Sequence, residues 1–235
     1  MEKIVCALWR KDGEDAGEFA ARLLDKLPEA LTDAGASGIR LNLRDAAVAP
    51  AAGLIQQWQE PQQDAVVQFW LPTANARFRG AIDAVLAEQT GRFAAWLVSE
   101  STVIANDDAK RGWSQASFIT FRSDIPREEA IAHWHGHHTQ VAIETQANFE
   151  YVQNMIVMPL TENAPAYDAF VEECFPDAAM SDPAAFFDAD GDPERFGANL
   201  SAMMDSCQTF IDFARIDIIP TSQFDFADKR EEVPA

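Results

Sequence analysis

The order of strand-like and helix-like segments constrains the fold of this chain more than any single motif. Four apolar runs near the N-terminus predict strands, at residues 3–9, 39–44, 64–71 and 93–104. Apolar residues at three- and four-residue spacing predict amphipathic helices at residues 18–31 and 75–91. The resulting order, β-α-β-β-α-β, is that of a ferredoxin-like unit.

The same order begins again after a polar link at residues 106–112. Strands are predicted at residues 116–122, 148–158, 168–175 and 210–219. A single ferredoxin-like sheet leaves one face uncovered, and two such sheets can cover each other. We therefore predict an α+β fold with two tandem ferredoxin-like halves packed sheet to sheet, a pseudo-dimer that arose by internal duplication. The predicted halves are residues 1–106 and 113–224, and a charged tail, residues 225–235, follows them.

The charge balance limits the partners that the chain can have. Its 235 residues include 18 basic and 38 acidic side chains, a formal net charge of −20. A field of that sign repels phosphate backbones, and no basic run would attract an anionic membrane. The residues from Met1 to Cys6 do not have the pattern of a signal peptide, and no window approaches the roughly 18 apolar residues of a membrane span, so we expect neither. Cys6, Cys174 and Cys207 fit buried thiols in a reducing compartment. We expect a cytoplasmic protein that binds neither nucleic acid nor membranes.

All four histidines lie within six consecutive residues of one predicted helix. Histidine titrates near neutral pH, so proton chemistry would concentrate there. On a regular α-helix, Trp134 and His138 share one face, whereas His133 and His137 share another. His135 points elsewhere, and we expect it at the surface or at a partner.

Three short patterns in the second half occur in a fixed order. A helix carries Trp-x-x-x-His at residues 134–138, and a strand begins with Tyr-x-x-Asn at residues 151–154. The next strand, residues 168–175, reads Asp-Ala-Phe-Val-Glu-Glu-Cys-Phe. This combination resembles the EthD family, a branch of the dimeric α/β-barrel proteins, in which Ala169 would be glycine. Met155 departs from relatives with a second histidine there, which argues against a two-histidine mechanism.

The resemblance implies a dimeric α/β-barrel fold and, more loosely, a range of activities. Members include cofactor-free cyclases, dehydratases, decarboxylases, lyases and oxygenases acting on aromatic or polyketide-like molecules, and other members bind haem. The N-terminal half carries Leu23 and Leu27 where the second half has Trp134 and His138. We therefore expect one functional cleft, in the C-terminal half and covered by the N-terminal half.

The resemblance also implies roles for individual residues. His138 is the predicted general base, because it holds the motif position and would face an apolar wall. Tyr151 and Asn154 would stabilise developing negative charge, and Asp168 or Glu172 would orient the imidazole. The predicted substrate-binding residues are Trp134, Phe118, Phe121, Arg122, Phe170 and Met155. Core packing is the alternative role of the three phenylalanines and Met155, and pairing with neighbouring acids is the alternative for Arg122.

The predicted function is a cofactor-independent enzyme of lyase, cyclase or dehydratase type that acts on a hydrophobic, aromatic small molecule. The alternatives are a non-catalytic binding protein for such a molecule and a haem- or metal-dependent oxidoreductase. His133 and His137 have the i, i+4 spacing of a metal-binding pair, but a third ligand would be distant in sequence. The chain is expected to be a monomer or a homodimer.

Overall fold

The computed structural model describes residues 1–226, in which eight antiparallel strands close into one barrel. The strands are β1 Glu2–Trp9, β2 Ser37–Leu43, β3 Ala65–Leu71, β4 Arg92–Ile104, β5 Trp113–Ile119, β6 Glu150–Pro159, β7 Ala169–Phe175 and β8 Asp217–Phe226. The helices are α1 Ala16–Asp33, α2 Ala76–Gln89, α3 Arg127–His133, α4 Thr139–Thr145, α5 Pro183–Phe186 and α6 Pro193–Phe210. A π turn, Trp134–His138, joins α3 to α4, and 3₁₀ segments occupy Ala46–Leu54 and Asp177–Met180. None of the helices within residues 1–226 is long and apolar enough to cross a membrane.

The two halves of the chain join edge to edge. Around the barrel the strand order is β1-β3-β2-β8-β5-β7-β6-β4, so the first four strands are neighbours and the last four are neighbours. The two groups meet where β2 pairs with β8 and where β4 pairs with β6. The predicted α+β barrel architecture is confirmed. The halves are not two sheets in face-to-face contact but one continuous sheet that closes on itself.

Alternation along each strand gives the barrel two buried faces. On β1, Ile4, Cys6 and Leu8 pack with the helices outside the barrel, whereas Val5 and Ala7 point inward. Because both faces are covered, β1 reads as the continuous apolar run IVCALW and not as an alternating one.

Helix α1 covers the N-terminal half of the sheet. It begins after Asp15, whose side chain accepts hydrogen bonds from backbone N–H groups of the first turn. Leu23 and Leu27 lie on the buried face of this helix and are fully buried. Aliphatic side chains therefore fill the space that corresponds to Trp134 and His138 in the other half.

The inside of the barrel contains a buried carboxylate. Glu172 is fully buried and accepts hydrogen bonds from Asn42 Nδ2 at 2.5 Å, Gln68 Nε2 at 2.8 Å and Gln223 Nε2 at 2.8 Å. Arg40 Nη1 lies 3.1 Å from the same carboxylate. Burial alone would raise the pKa of Glu172, but Arg40 and the amide donors lower that pKa to about 2. The charged form is therefore held between strands of both halves.

The end of the chain differs from the prediction. Residues 210–219 do not form the last strand, because α6 continues to Phe210 and β8 spans Asp217–Phe226. Between them, the Asp212 side chain accepts a hydrogen bond from the Ala214 N–H at 3.1 Å and closes a turn. Strand β8 also includes Asp225, at the start of the predicted tail, and residues 227–235 lie outside the described residues.

Candidate functional site

A cavity of about 620 Å³ lies outside the barrel, between the C-terminal half of the sheet and the helices that cover it. Outward-facing residues of β5, β7 and β8, among them Ser117, Val171 and Ile218, form its floor. The N-terminal half contributes Pro50 and Leu54 of a 3₁₀ segment. Aromatic and sulfur-containing side chains form much of the remaining wall: Phe186, Phe187, Met203, Met204, Phe210 and Phe213. The shape and chemistry of this lining suit a hydrophobic small molecule.

The helix with the histidines continues through Gly136 but changes geometry there. The backbone N–H of Thr139 reaches back five residues to the carbonyl of Trp134, and Thr139 Oγ1 donates to the same oxygen at 2.8 Å. This turn holds one more residue than a regular helical turn, and such turns occur often at functional sites. The prediction of one regular helix over these residues is therefore incomplete.

The π turn decides which histidines are neighbours. Trp134 and His138 both line the cavity, as their predicted common face requires. His133 and His138 both reach Ser206 on α6, although residues five apart lie far apart around a regular α-helix. The extra residue in the turn thus places His133 beside the buried His138.

His138 is a buried, neutral base at the cavity wall. The residue is 8% exposed, its Nδ1 lies 3.0 Å from Ser206 Oγ, and the Phe210 ring centroid lies 4.9 Å from its own. Burial, with smaller contributions from His133 and His137, lowers the pKa of His138 to about 4. Its Nε2 makes no hydrogen bond within the described part of the chain. That nitrogen is therefore available to a ligand in the cavity.

Tyr151 and Glu173 form a cross-strand pair on β6 and β7 and also line the cavity. Burial and Glu173 raise the pKa of Tyr151, so its phenol stays protonated. The phenol oxygen accepts a hydrogen bond from Gln153 Nε2 at 2.8 Å, and its own hydrogen can be donated to a ligand. Burial raises the pKa of Glu173 to about 7, against the effect of a hydrogen bond from Asn148. Glu173 can thus hold or release a proton near neutral pH.

Two of the predicted polar residues lie on the other side of the sheet. Asn154 is fully buried inside the barrel, and neither its Oδ1 nor its Nδ2 has a hydrogen-bond partner there. Glu172 also faces the barrel interior, so it does not orient the imidazole of His138. The sheet separates both residues from the cavity, and Ser206 is the residue that contacts His138 Nδ1.

Three further predicted residues lie away from the cavity, with Asp168 and Arg122 close to strand ends and Met155 within β6. Asp168 Oδ2 accepts a hydrogen bond from the Phe121 N–H at 2.8 Å, and Asp168 Oδ1 lies 3.3 Å from Arg127 Nε. Met155 Sδ lies 3.2 Å from Arg127 Nη2. Arg122 is partly exposed and forms an ion pair at 2.5 Å with an aspartate two residues along the chain. These contacts are structural, and none of the three residues lines the cavity.

The predicted aromatic residues divide between the cavity and the cores. Trp134 lines the cavity, and Phe121 packs behind it with ring centroids 5.8 Å apart. Phe118 and Phe170 point into the barrel, where their ring centroids are 4.8 Å apart. Core packing, the alternative role, therefore describes these three phenylalanines.

The histidine pair considered for a metal lacks further ligands. The ring centroids of His133 and His137 are 5.0 Å apart, and His133 Nε2 lies 3.1 Å from the Ser206 carbonyl. Residues 1–226 contain no group of three His, Cys, Asp or Glu side chains that could hold a metal ion. His135 is exposed and lies against Trp134, with ring centroids 4.8 Å apart.

Haem is the cofactor that the family resemblance raises. His138 Nε2 is the atom that would hold the haem iron, since His138 Nδ1 already contacts Ser206 Oγ. Haem propionates, however, are normally held by cationic side chains, and the cavity lining within residues 1–226 includes no Lys or Arg. Glu173 and the net charge of −20 further disfavour a dianionic group. The residues present do not fit a haem.

The closed antiparallel barrel, with helices outside it and a cavity beneath the histidine helix, is similar to the fold of dimeric α/β-barrel proteins. Residues 122–214 match the model of the EthD domain. The resemblance to the EthD family predicted from the sequence is confirmed for this segment. The matched segment contains the π turn, Tyr151, Glu173 and Ser206.

Solved structures share the fold at very low sequence identity. An anthrone oxidase-like protein is 9% identical with a TM-score of 0.56, and the match covers 100% of this chain and 96% of that one. A protein provisionally named a chlorite dismutase is 7% identical with a TM-score of 0.50, covering 96% of each chain. A provisionally named monooxygenase from Lactobacillus acidophilus NCFM is 9% identical with a TM-score of 0.47, covering 97% and 96%. No curated protein sequence matches the chain.

Proposed function

We propose that this chain is an oxidase that uses O₂ to convert a CH₂ group of a hydrophobic, aromatic carbon acid into a carbonyl, without a bound cofactor. The observation that carries the proposal is the neutral imidazole of His138 at an apolar cavity of about 620 Å³. A neutral base shielded from water can remove a weakly acidic C–H proton. The lining favours an uncharged ligand, because it combines aromatic rings and thioethers with the carboxyl of Glu173.

Proton removal comes first in the proposed reaction. His138 Nε2 takes one proton of the CH₂ group, and the remaining electron pair is delocalised into a conjugated ketone oxygen. Tyr151 donates a hydrogen bond to that oxygen and stabilises its negative charge. The carbanion then passes one electron to O₂, and the resulting carbon radical and superoxide combine to form a C–O bond. The peroxide takes up the proton that His138 removed.

The second stage releases water. His138 removes the remaining C–H proton, the C=O bond forms and the O–O bond breaks. The departing hydroxide takes a proton from Glu173, and a proton passed from His138 to Glu173 restores both neutral groups. The sum is CH₂ + O₂ → C=O + H₂O. The weakly acidic carboxyl of Glu173, with a pKa of about 7, suits this role as proton donor.

Oxidation is favoured over the predicted lyase, cyclase or dehydratase outcome. The solved structure that aligns over the whole chain with a TM-score of 0.56 is named an anthrone oxidase-like protein. Anthrone has a CH₂ group between two aromatic rings, and its oxidation needs only a base and O₂. The first step, proton removal by His138, is the same as in the predicted lyase mechanism. The two proposals differ in whether O₂ traps the carbanion.

Oxygen uptake with anthrone as the probe tests the proposal. The purified chain should consume O₂ and form anthraquinone faster than buffer alone. His138→Gln should lower kcat by about 10² to 10⁴, the usual contribution of a positioned general base. His135→Gln, which changes an exposed histidine of the same helix, should leave kcat unchanged.

Two outcomes would overturn the assignment. Full activity of His138→Gln would exclude His138 as the base, and no uptake by the unaltered chain would exclude anthrone oxidation. Binding of anthrone without O₂ uptake would instead support a non-catalytic binding protein. A Soret band on titration with haemin, lost in His138→Gln, would support a haem-dependent oxidoreductase.

The arrangement of the halves supports an inference about ancestry. Each half supplies four neighbouring barrel strands, β4-β1-β3-β2 and β8-β5-β7-β6, which is the same order within each half. We infer two tandem ferredoxin-like units that arose by duplication, so that one cytoplasmic chain provides what a homodimer of single units would provide. Only the second unit kept the histidine helix.

A further inference from the structure

We propose that His138, Ser206 and His133 form a proton relay that moves the positive charge from His138 to His133, away from the cavity, and returns it when the peroxide takes up its proton. This inference rests on the proposed role of His138 as the base. It assigns positioning roles to Ser206 and His133, neither of which lines the cavity.

The three residues lie in hydrogen-bonded sequence. Ser206 Oγ lies 3.0 Å from His138 Nδ1 and 3.2 Å from His133 Nε2. A hydroxyl can accept a proton from one ring while it donates its own to the other. The far end of the path is nearer to solvent, since His138 and Ser206 are 8% and 4% exposed whereas His133 is half-buried and lies against the exposed His137. The path therefore leads from the buried base to water.

Proton movement through the relay balances without another reactant. When His138 Nε2 binds the substrate proton, Nδ1–H passes its proton to Ser206 Oγ, and the hydroxyl proton passes to His133 Nε2. His138 becomes neutral again, and the positive charge resides on His133. The Ser206 carbonyl, 3.1 Å from His133 Nε2, accepts a hydrogen bond from the newly protonated nitrogen. The positive charge is thereby held away from the carbanion while O₂ reacts. When the peroxide takes the proton from His138 Nε2, His133 returns a proton through Ser206 to His138 Nδ1, and His138 is again a neutral base with a free Nε2.

Other titratable groups near His138 do not provide a second path by which a proton could leave its Nδ1. Tyr151 and Glu173 lie at the cavity, on the side of the substrate. Burial raises the pKa of Cys207, the neighbour of Ser206 on α6, to about 12, so that thiol stays protonated. Ser206 Oγ is the partner of His138 Nδ1 among residues 1–226.

Buffer rescue tests the relay with anthrone as the probe. Ser206→Ala should lower kcat on the order of tenfold, and imidazole buffer should restore it by exchanging protons with His138 directly. His133→Ala should behave in the same way. Ser206→Thr keeps the hydroxyl and should keep kcat near that of the unaltered chain, and His135→Gln should show no imidazole dependence. Unchanged kcat in Ser206→Ala, or a loss that imidazole does not restore in a chain folded by circular dichroism, would overturn the relay.

A measurement without substrate separates the relay from the proposed function. The exchange of the His138 ring N–H with water, followed by ¹⁵N NMR, should be on the order of tenfold slower in Ser206→Ala than in the unaltered chain and near normal in Ser206→Thr. Equal exchange rates in all three would exclude the relay even if anthrone is oxidised. Slower exchange in a chain that does not oxidise anthrone would keep the relay and reject the oxidase.

Discussion

Glu173 and His138 share the cavity wall, and burial moves both toward their neutral forms. The pKa of Glu173 rises from 4.5 to about 7, and that of His138 falls from 6.5 to about 4. Between pH 4.5 and 7 the folded chain therefore binds more protons at Glu173 than the unfolded chain does, and stability falls as pH rises. Between pH 4 and 6.5 the folded chain binds fewer protons at His138, and stability rises with pH. The two slopes oppose each other where they overlap.

Glu173→Gln should remove the falling slope. At pH 8 the variant should be more stable than the unaltered chain by up to about 3 kcal/mol, because each unit of pKa shift corresponds to about 1.4 kcal/mol. At pH 4, where both side chains are neutral, the two proteins should differ little. Urea unfolding between pH 4 and 8.5 measures this, and parallel stability curves for the two proteins would contradict it.

The sequence located His138 but not its partners. The Trp-x-x-x-His pattern identified the residue, because two residues that share one face of a helix are separated by four positions in the sequence. Glu173 follows Glu172 on a buried strand, and alternation places one of any two adjacent residues on each face. The alternation therefore predicts that Glu172 and Glu173 lie on opposite faces of the sheet. Ser206 left no signal, because its contact depends on how α6 packs against the histidine helix.

At the scale of elements, the π turn is the feature that sequence periodicity could not predict. One inserted residue in a helix of this length is hidden among many equally good helical patterns. The boundary of α6 was missed for a related reason, since a short apolar run at residues 210–219 fits a helix end or a strand. Strands β1, β2, β3 and β7 were predicted well, because their apolar runs are bounded by turn residues.

Gly136 tests how the π turn depends on its sequence. A Cβ at this position would meet no heavy atom within 4 Å, and the residue has no positive φ. Gly136→Ala should therefore raise stability by about 0.5–1 kcal/mol through the lower backbone entropy of the unfolded chain. Gly197→Ala in α6, which is equally open, is the matched control. Thermal unfolding that shows a gain for residue 197 and a loss for residue 136 would mean that the π turn requires glycine.

At the scale of the whole molecule, the barrel joins halves that are distant in sequence. Topology followed from the repeated element order, but closure depends on strand pairs such as β2 with β8, which no local pattern specifies. No local pattern specifies the ion pairs of the barrel interior either, where Arg40 of the first half lies 2.6 Å from Glu150 and 3.1 Å from Glu172 of the second half. A chain of net charge −20 thus places a cation where the two halves meet.

Arg40→Met should show how much the ion pairs of Arg40 with Glu150 and Glu172 contribute to the free energy of unfolding. Removing one partner of a buried ion pair leaves Glu172 uncompensated, and the loss of unfolding free energy should be roughly 3–5 kcal/mol. Adding Glu172→Gln to the Arg40→Met variant should recover part of that loss, because a buried neutral amide has no charge that a guanidinium must compensate. Arg122→Met removes a partly exposed ion pair with Asp124 and should change stability little.

The pKa of Glu172 determines how the stability of these variants changes with pH. The pKa of Glu172 is lowered from 4.5 to about 2, so its contribution to stability is complete above pH 4.5 and is lost as pH falls toward 2. Arg40→Met should raise that pKa and move the loss to higher pH. Urea unfolding of the three variants and the unaltered chain between pH 3 and 7 gives both quantities. If Arg40→Met and the double variant are both as stable as the unaltered chain at every pH, the Arg40 ion pairs do not contribute to holding the halves together.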